Sequence, residues 1–255
     1  MSDPQFPQWL HYVSIVSLAL GFLCAGVILF QVRRHPPHMK VMAWVWPLCA
    51  LFGSVLWLWL YRQAEGGGRH AGHEAHSGGG HHAGNGHAGH HRHASDPTWL
   101  SVAKGASHCG AGCTLGDILA EWLAFAVPGI AVALGWHSLF AEKTFAVWIL
   151  DYVLAFAIGI AFQYFAIVPM RKLSPGKGIA EAVKADFLSI TSWQVGMYGV
   201  MALGQFAWFR PAYGSVAQVD GVEFWFLMQV SMLAGFVTAY PVNWWLVKAG
   251  VKEAM

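Results

Sequence analysis

The residues His108-Cys109-Gly110-Ala111-Gly112-Cys113-Thr114-Leu115-Gly116-Asp117-Ile118-Leu119-Ala120-Glu121 place an imidazole, two thiols and two carboxyls in fourteen positions. Four-residue steps on a helix advance about 400°, so Cys109, Cys113, Asp117 and Glu121 drift only about 40° per step and line one face over about 18 Å. Two thiolates at i and i+4 can reach one ion, with His108 close enough to join. Thiolate selects Cu(I) and zinc, while the carboxylates below suit a relay for protons or a harder ion. Beside the stripe, Gly112, Gly116, Ala120 and Ala124 form a row of small residues along which a neighbouring helix can approach closely. The plainer alternative is that the cysteines fill space and the acids pair with Lys or Arg. A disulfide between Cys109 and Cys113 would be strained on a regular helix.

Further soft ligands follow. Met197 with Met201, and Met228 with Met232, repeat the four-residue spacing. Thioethers bind Cu(I) well and zinc poorly, although methionine also serves simply to fill cores. Asp151, Gln163 and Tyr164 could line the same cavity or only bond between helices. Glu223, Gln229, Tyr240 and Asn243 are polar without an evident pattern. The candidate metal ligands are therefore His108, Cys109, Cys113, Asp117, Glu121, Met197, Met201, Met228 and Met232. Copper is the expected ion and zinc the alternative. Residues Gly66 to His93 add nine His among ten Gly, four Ala and five others. Such a composition cannot bury enough apolar area to offset its ordering entropy, which predicts a disordered loop that gathers metal ions weakly.

These residues must be held by a largely apolar chain. Of 255 residues, 56% are hydrophobic and 11% charged, with mean hydropathy +0.45; soluble domains run near ~45–50% and ~25%. With a net charge of +2 and no basic stripe, nucleic acid is not an expected partner. The expected partner is a lipid bilayer. Runs of about 20 apolar residues predict six transmembrane helices, at Tyr12 to Phe30, Val41 to Tyr61, Thr114 to Trp136, Thr144 to Val168, Phe187 to Phe209 and Val222 to Val247. The first run lacks a basic flank and a cleavage site, so it reads as a retained anchor. Between the fourth and fifth runs, Ile179, Val183 and Phe187 predict a short amphipathic segment. With six crossings, ten Lys and Arg fall on the side of the termini and five on the other. This predicts both termini and the His-rich loop in the cytoplasm, in a bacterial inner membrane. The expected fold class is thus all-α, an integral membrane helical bundle in three parts: residues 1–62 with two helices, 63–107 as the loop, and 108–255 as a four-helix core.

Four motifs in that core are His108-Cys109-x-x-Gly112-Cys113-x-x-Gly116-Asp117, Ser192-Trp193-Gln194-Val195-Gly196-Met197-Tyr198-Gly199, Phe224-Trp225-Phe226-Leu227-Met228-Gln229 and Tyr240-Pro241-Val242-Asn243-Trp244-Trp245. Together they resemble an uncharacterised family of bacterial multi-span membrane proteins that carries a domain-of-unknown-function label and is sometimes described as copper-associated. The resemblance covers about Ser107 to Met255. It implies a four-helix membrane core bearing the His-Cys-x3-Cys site, and assigns no activity. The leading expectation from the residues is Cu(I) transport or delivery rather than enzymatic catalysis, with a homo-oligomer or a metallochaperone as possible partner. The alternatives are a thiol or haem redox enzyme and an assembly factor for another membrane complex. His11, His35, His38 and His137 are haem ligands only in principle, because no pair sits mid-span at matching depth. No nucleotide-binding loop is present, so this chain alone is not expected to drive transport with ATP.

Overall fold

The computed structural model describes residues 6–37, 39–71, 98–171 and 174–252. Among them the elements are helical: α1 Gln8–Arg34, α2 Met42–Ala71, α3 Trp99–Ala126, α4 Gly129–Ala133, α5 Lys143–Arg171, α6 Pro175–Ala202 continuing through a π-helical stretch Leu203–Phe209, α7 Arg210–Tyr213 and α8 Val222–Lys248. Their ends follow local chemistry. Thr98 caps α3 by accepting a hydrogen bond from Ser101 N at 3.1 Å, and Pro128 follows its last turn. Ser174 precedes α6 with Pro175 at its first position.

Among the described residues, four stretches are long and apolar enough, by length and composition, to cross a membrane: Gln8–Arg34, Met42–Glu65, Lys143–Val168 and Val222–Lys248. The helices α3 and α6 are not among them. Most of α3 is buried, including His108, both cysteines and both acids, so it occupies the middle of the bundle against α2, α5, α6 and α8. The third run was expected from Thr114 to Trp136, but the helix begins at Trp99 and stops at Ala126. The metal-ligand candidates therefore sit mid-helix rather than at its top. Likewise α6 starts at Pro175, absorbing the expected amphipathic segment, and passes into the π-helical stretch instead of ending as a regular span at Phe209.

Within α2 the chain turns back on itself. Ser54 has φ 45° and ψ −122°, and the Trp46 and Tyr61 rings are 5.9 Å apart. Fifteen residues along a straight helix would separate them by about 22 Å. The arms 42–53 and 55–71 both reach Ser107 of α3: Cys49 Sγ donates to its carbonyl at 3.2 Å and Trp57 Nε1 to its hydroxyl at 3.2 Å. Gly53 is required at the turn because a Cβ there would collide with the Trp57 indole. The side-chain amide of Gln229 meets the Leu51 carbonyl near the turn at 2.6 Å and accepts from Ser17 at 2.7 Å, tying α1, α2 and α8 together. An apolar run of the right length was expected to be one straight crossing; its two arms are each too short for that.

This turn fixes which element ends share a face of the bundle. His11 meets Glu223 at 2.7 Å and Ser17 meets Gln229, so α1 and α8 run parallel. Arg210 grips Glu142 with bonds of 2.9 and 2.7 Å, placing the start of α5 beside α7. The pair holds the Glu142 carboxyl below and the Arg210 guanidinium above their ordinary values, mainly through these hydrogen bonds. Trp59 stacks on Trp99 at 5.7 Å, and Tyr240 donates to the Trp99 carbonyl at 3.1 Å. One face thus carries the starts of α1, α5 and α8. The opposite face carries their ends, both ends of α2 and the starts of α3 and α6. Gln8 and Lys248 lie on opposite faces, which corrects the expectation that both termini share a side. The expected boundary at residue 108 also falls inside α3, and 63–71 and 99–107 are helical. The rest of the expected His-rich loop, 72–97, lies outside the described residues. Among the described residues, Arg33, Arg34, Lys40, Arg62, Arg69, Lys104, Arg171, Lys177, Lys184, Lys248 and Lys252 belong to the second face, and only Lys143 and Arg210 to the first.

The small-residue row performs its expected task. A Cβ on Gly112 would come within 2.6 Å of Gly159 Cα, and one on Gly116 within 2.5 Å of Ala155 N, so α3 and α5 touch backbone to backbone. Gly116→Ala should therefore cost about 1–3 kcal/mol. Gly26→Ala, on an exposed helix face where a Cβ meets nothing within 4 Å, should be neutral or stabilising. Unfolding of both variants in detergent checks this contrast, and equal stabilities would refute the backbone-contact account.

Candidate functional site

The buried polar groups form two assemblies along α3. At the second face, Gly250 adopts φ 68°, a left-handed conformation suited to glycine at a helix end. The chain reverses there, and Val251 N and Lys252 N both donate to the Leu246 carbonyl at 3.0 and 3.1 Å. Lys252 thereby points back into the bundle, where its side chain is fully buried. Its ammonium donates to Asp186 Oδ1 at 2.7 Å and to Cys109 Sγ at 3.3 Å. Burial alone would lower the Lys252 pKa, but the charges and hydrogen bonds of Asp186 and Cys109 hold it above the ordinary lysine value. Ser189 Oγ lies 2.9 Å from Cys109 Sγ and accepts from Asn243 Nδ2 at 2.6 Å. The Cys109 sulfur thus sits in a closed network contributed by α3, α6, α8 and the turn after α8.

Deeper along α3 are the acids. Asp117, Glu121 and Asp151 are all buried. The Gly116–Ala155 contact brings α5 close enough for Asp151 to lie within electrostatic reach of both Asp117 and Glu121. Gln194 Nε2 donates to Asp117 Oδ1 at 3.4 Å. Asp117 Oδ2 and both Asp151 oxygens have no hydrogen-bond partner among the described residues. Lys143, at the start of α5, acts electrostatically on Glu121, and Tyr198 lies in the field of the same acids while donating to the Trp148 carbonyl at 2.9 Å. Buried carboxyls are normally paired and hydrogen-bonded, so this group departs from ordinary structural practice.

Asp117 also borders a cavity of about 320 Å³ between α1, α2, α3 and α8, into which Met228 and Met232 face. Met197 and Met201 are buried on α6. Two thioethers have other neighbours: Trp193 Nε1 donates to Met232 Sδ at 3.4 Å, and Ser231 Oγ lies 3.9 Å from Met201 Sδ. The stripe face is therefore real, but its members divide. Cys109 belongs to the Lys252 network and Asp117 and Glu121 to the acids, while Met228 and Met232 of α8 face the cavity. His108 is fully buried with neither ring nitrogen bonded among the described residues. Among those residues, no three His, Cys, Asp or Glu side chains converge as a preformed metal site would require.

Several polar candidates have other partners. Glu223 pairs with His11, Gln229 clamps three helices, Tyr240 holds the start of α3, and Asn243 supports Ser189. Gln163 is buried with its amide unpartnered among the described residues, and the Tyr164 ring fills the space a Cβ on Gly178 would need. Of the histidines weighed for haem, His137 has φ 69° and stacks on Trp136 at 4.1 Å, and His38 lies outside the described residues. Asp186, Ser189 and Lys252 were missed. The available signals were weak: an acid within a short amphipathic segment, and a glycine two residues before a lysine at the end of an apolar run.

A family described as Domain of unknown function (DUF4396) matches residues 98–252. No curated protein and no solved structure gives a significant match. The matched segment starts at the α3 cap and ends on Lys252, enclosing both assemblies.

Removing Lys252 would leave Asp186 buried without its counter-charge. Lys252→Ala should cost about 3–5 kcal/mol, and adding Asp186→Asn should recover much of that loss. A double-mutant cycle on unfolding in detergent measures the coupling; additive effects of the two substitutions would contradict a functional ion pair.

Proposed function

The chain belongs to the DUF4396 family, and from its geometry we propose that it is an integral membrane protein that carries a cation past a buried group of acids, with Cu(I) as cargo. The observation that carries this reading is the burial of Asp117, Glu121 and Asp151 within electrostatic reach of one another along the α3–α5 seam, with oxygens on Asp117 and Asp151 that have no partner among the described residues. Three negative charges in an apolar interior require neutralisation, either by protons or by a passing cation. An exchange between those occupants is the elementary step of a proton-coupled carrier. Copper is favoured over zinc because Cys109, Cys113, Met197, Met201, Met228 and Met232 are all buried in the same bundle. Zinc has little use for the four thioethers. The His-rich segment between α2 and α3 would raise the local metal supply before the main path.

In this reading α1, α3, α5, α6 and α8 cross the bilayer, and α2 enters and leaves by the second face. Exposed Val16, Phe22, Leu23, Phe30, Val237 and Trp245 on α1 and α8 suit a lipid-facing exterior. The charge asymmetry between the two faces supports, through the positive-inside rule, a second face that lies in the cytoplasm. The His-rich segment then stays cytoplasmic, and the start of α1 lies outside. The bacterial inner membrane remains the proposed location.

Cu(I) uptake into proteoliposomes, followed with an internal pH indicator, tests the function. Asp117→Asn should lower uptake at least tenfold with insertion intact. Met197→Leu with Met201→Leu, nearly equal in volume, should slow copper and leave any zinc flux unchanged. Undiminished copper uptake in Asp117→Asn would sink the carrier reading, while zinc uptake with no copper uptake would change the cargo. Topology is tested separately with an impermeant maleimide on intact cells, where Gln8→Cys should label and Lys248→Cys should not. The reverse pattern would invert the orientation.

A further inference from the structure

The cavity beside Asp117 has few polar atoms in its lining. Gln229 borders it, but its amide is committed to Leu51 O at 2.6 Å and its carbonyl to Ser17 Oγ at 2.7 Å. Thr114 also borders it, and its hydroxyl hydrogen is used on the Gly110 carbonyl at 2.7 Å. The Trp225 indole N–H is likewise used, on the Val219 carbonyl at 2.7 Å, whereas that of Trp122 at the rim has no hydrogen-bond partner among the described residues. Asp117 Oδ1 accepts from Gln194. The strongest polar group bordering the cavity is therefore the Asp117 carboxyl, whose Oδ2 has no partner among the described residues.

The remaining walls are apolar and aromatic. Trp122 and Trp225 lie nearly parallel with centroids 6.1 Å apart and an interplanar angle of 17°. At the rim, Phe22 is 67% exposed on the outer side of α1 and Trp122 45% exposed on α3, so the cavity opens laterally at the apolar exterior. Its volume of about 320 Å³ suits a small organic molecule. Aromatic walls around a carboxylate attract an organic cation through both charge and ring quadrupole.

We propose that this cavity binds an amphiphilic organic cation, an ammonium with an apolar body, which enters from the side of the bundle and sets its charge against Asp117. The site shares Asp117 with the carrier reading but does not depend on copper transport. A bound ammonium would supply the counter-charge that Asp117 otherwise takes from protons or metal, so it would compete with cation movement.

The test is equilibrium binding of radiolabelled benzyltrimethylammonium to the purified chain in lipid nanodiscs. Neopentylbenzene, which replaces the quaternary nitrogen by carbon at almost unchanged shape, serves as the neutral competitor. The expected result is one saturable site per chain, with affinity at least tenfold weaker in Asp117→Asn and within threefold of wild type in Asp220→Asn, an exposed acid outside both assemblies. Ile118→Trp, which fills the cavity while keeping every acid, should abolish binding and provides a second criterion if Asp117→Asn fails to fold. Equal competition by neopentylbenzene, unchanged binding in Asp117→Asn, or retained binding in Ile118→Trp would each overturn the proposal. Copper uptake by the same purified variants in proteoliposomes separates its failure from that of the carrier reading. Active copper transport without ammonium binding removes only the cavity proposal.

Discussion

The structure depends on the contact between the backbones of α3 and α5. Helix axes ordinarily pack 8–10 Å apart because side chains separate them. At Gly112 and Gly116 there is no room even for a Cβ before the opposing chain is reached. That approach sets the level of Asp151 against Asp117 and Glu121, and so brings three acids from two helices within electrostatic reach of one another. It also explains why α3 can be central. A helix bearing a histidine, two thiols and two acids is costly against lipid, so apolar helices must surround it. Small residues on one side make that enclosure tight.

Much of this was legible in the α3 sequence because a helical period is easy to read over short distances. The four-residue stripe does share a face, the glycine and alanine row does meet a neighbour, and all nine proposed ligands are buried. Sharing a face, however, does not mean sharing a ligand. Successive stripe members lie about 6 Å apart along the axis, and different helices meet each level: α6 and the Lys252 turn at Cys109, α6 again at Asp117 through Gln194, and α5 between the two acids. Which element arrives at which depth is tertiary information. Lys252 shows the limit most clearly. As a charged residue beyond the last apolar run it reads as solvent-exposed, and only the left-handed turn at Gly250 directs it inward.

The second helix illustrates a different failure of legibility. Composition over 42–65 measures apolarity and length but carries no information on whether the axis is straight. Gly53-Ser54 is a weak signal, since single glycines occur inside many membrane helices. Charge distribution held the missing clue. With six straight crossings, the Arg33-Arg34 loop opposed the bias of the remaining loops. With α2 turned back, that loop joins the majority and the asymmetry among described residues becomes eleven to two. A misplaced crossing inverts every later loop before it or after it, so an internally inconsistent charge count is itself evidence about topology.

The two polar assemblies on α3 also solve the same electrostatic problem in opposite ways. At Cys109 and Asp186 the chain supplies its own cation: Lys252 is tethered by the fold, bonded at 2.7 Å to the carboxylate, and buried with it. Such a pair carries its own counter-charge, although Asp186 Oδ2 has no hydrogen-bond partner among the described residues. At Asp117, Glu121 and Asp151 no comparable lysine is inserted; Lys143 acts on Glu121 from the start of α5, while oxygens on Asp117 and Asp151 stay unpartnered among the described residues. The fold can evidently deliver a buried ammonium to one end of α3, so the lack of one among the described groups at the other end is not a general inability to pair buried acids. An acid group completed by an internal cation is suited to holding helices together. One left to be completed by exchangeable protons or cations is suited to binding and release, and that contrast within a single helix is the physical basis for placing function at the acids and architecture at Lys252.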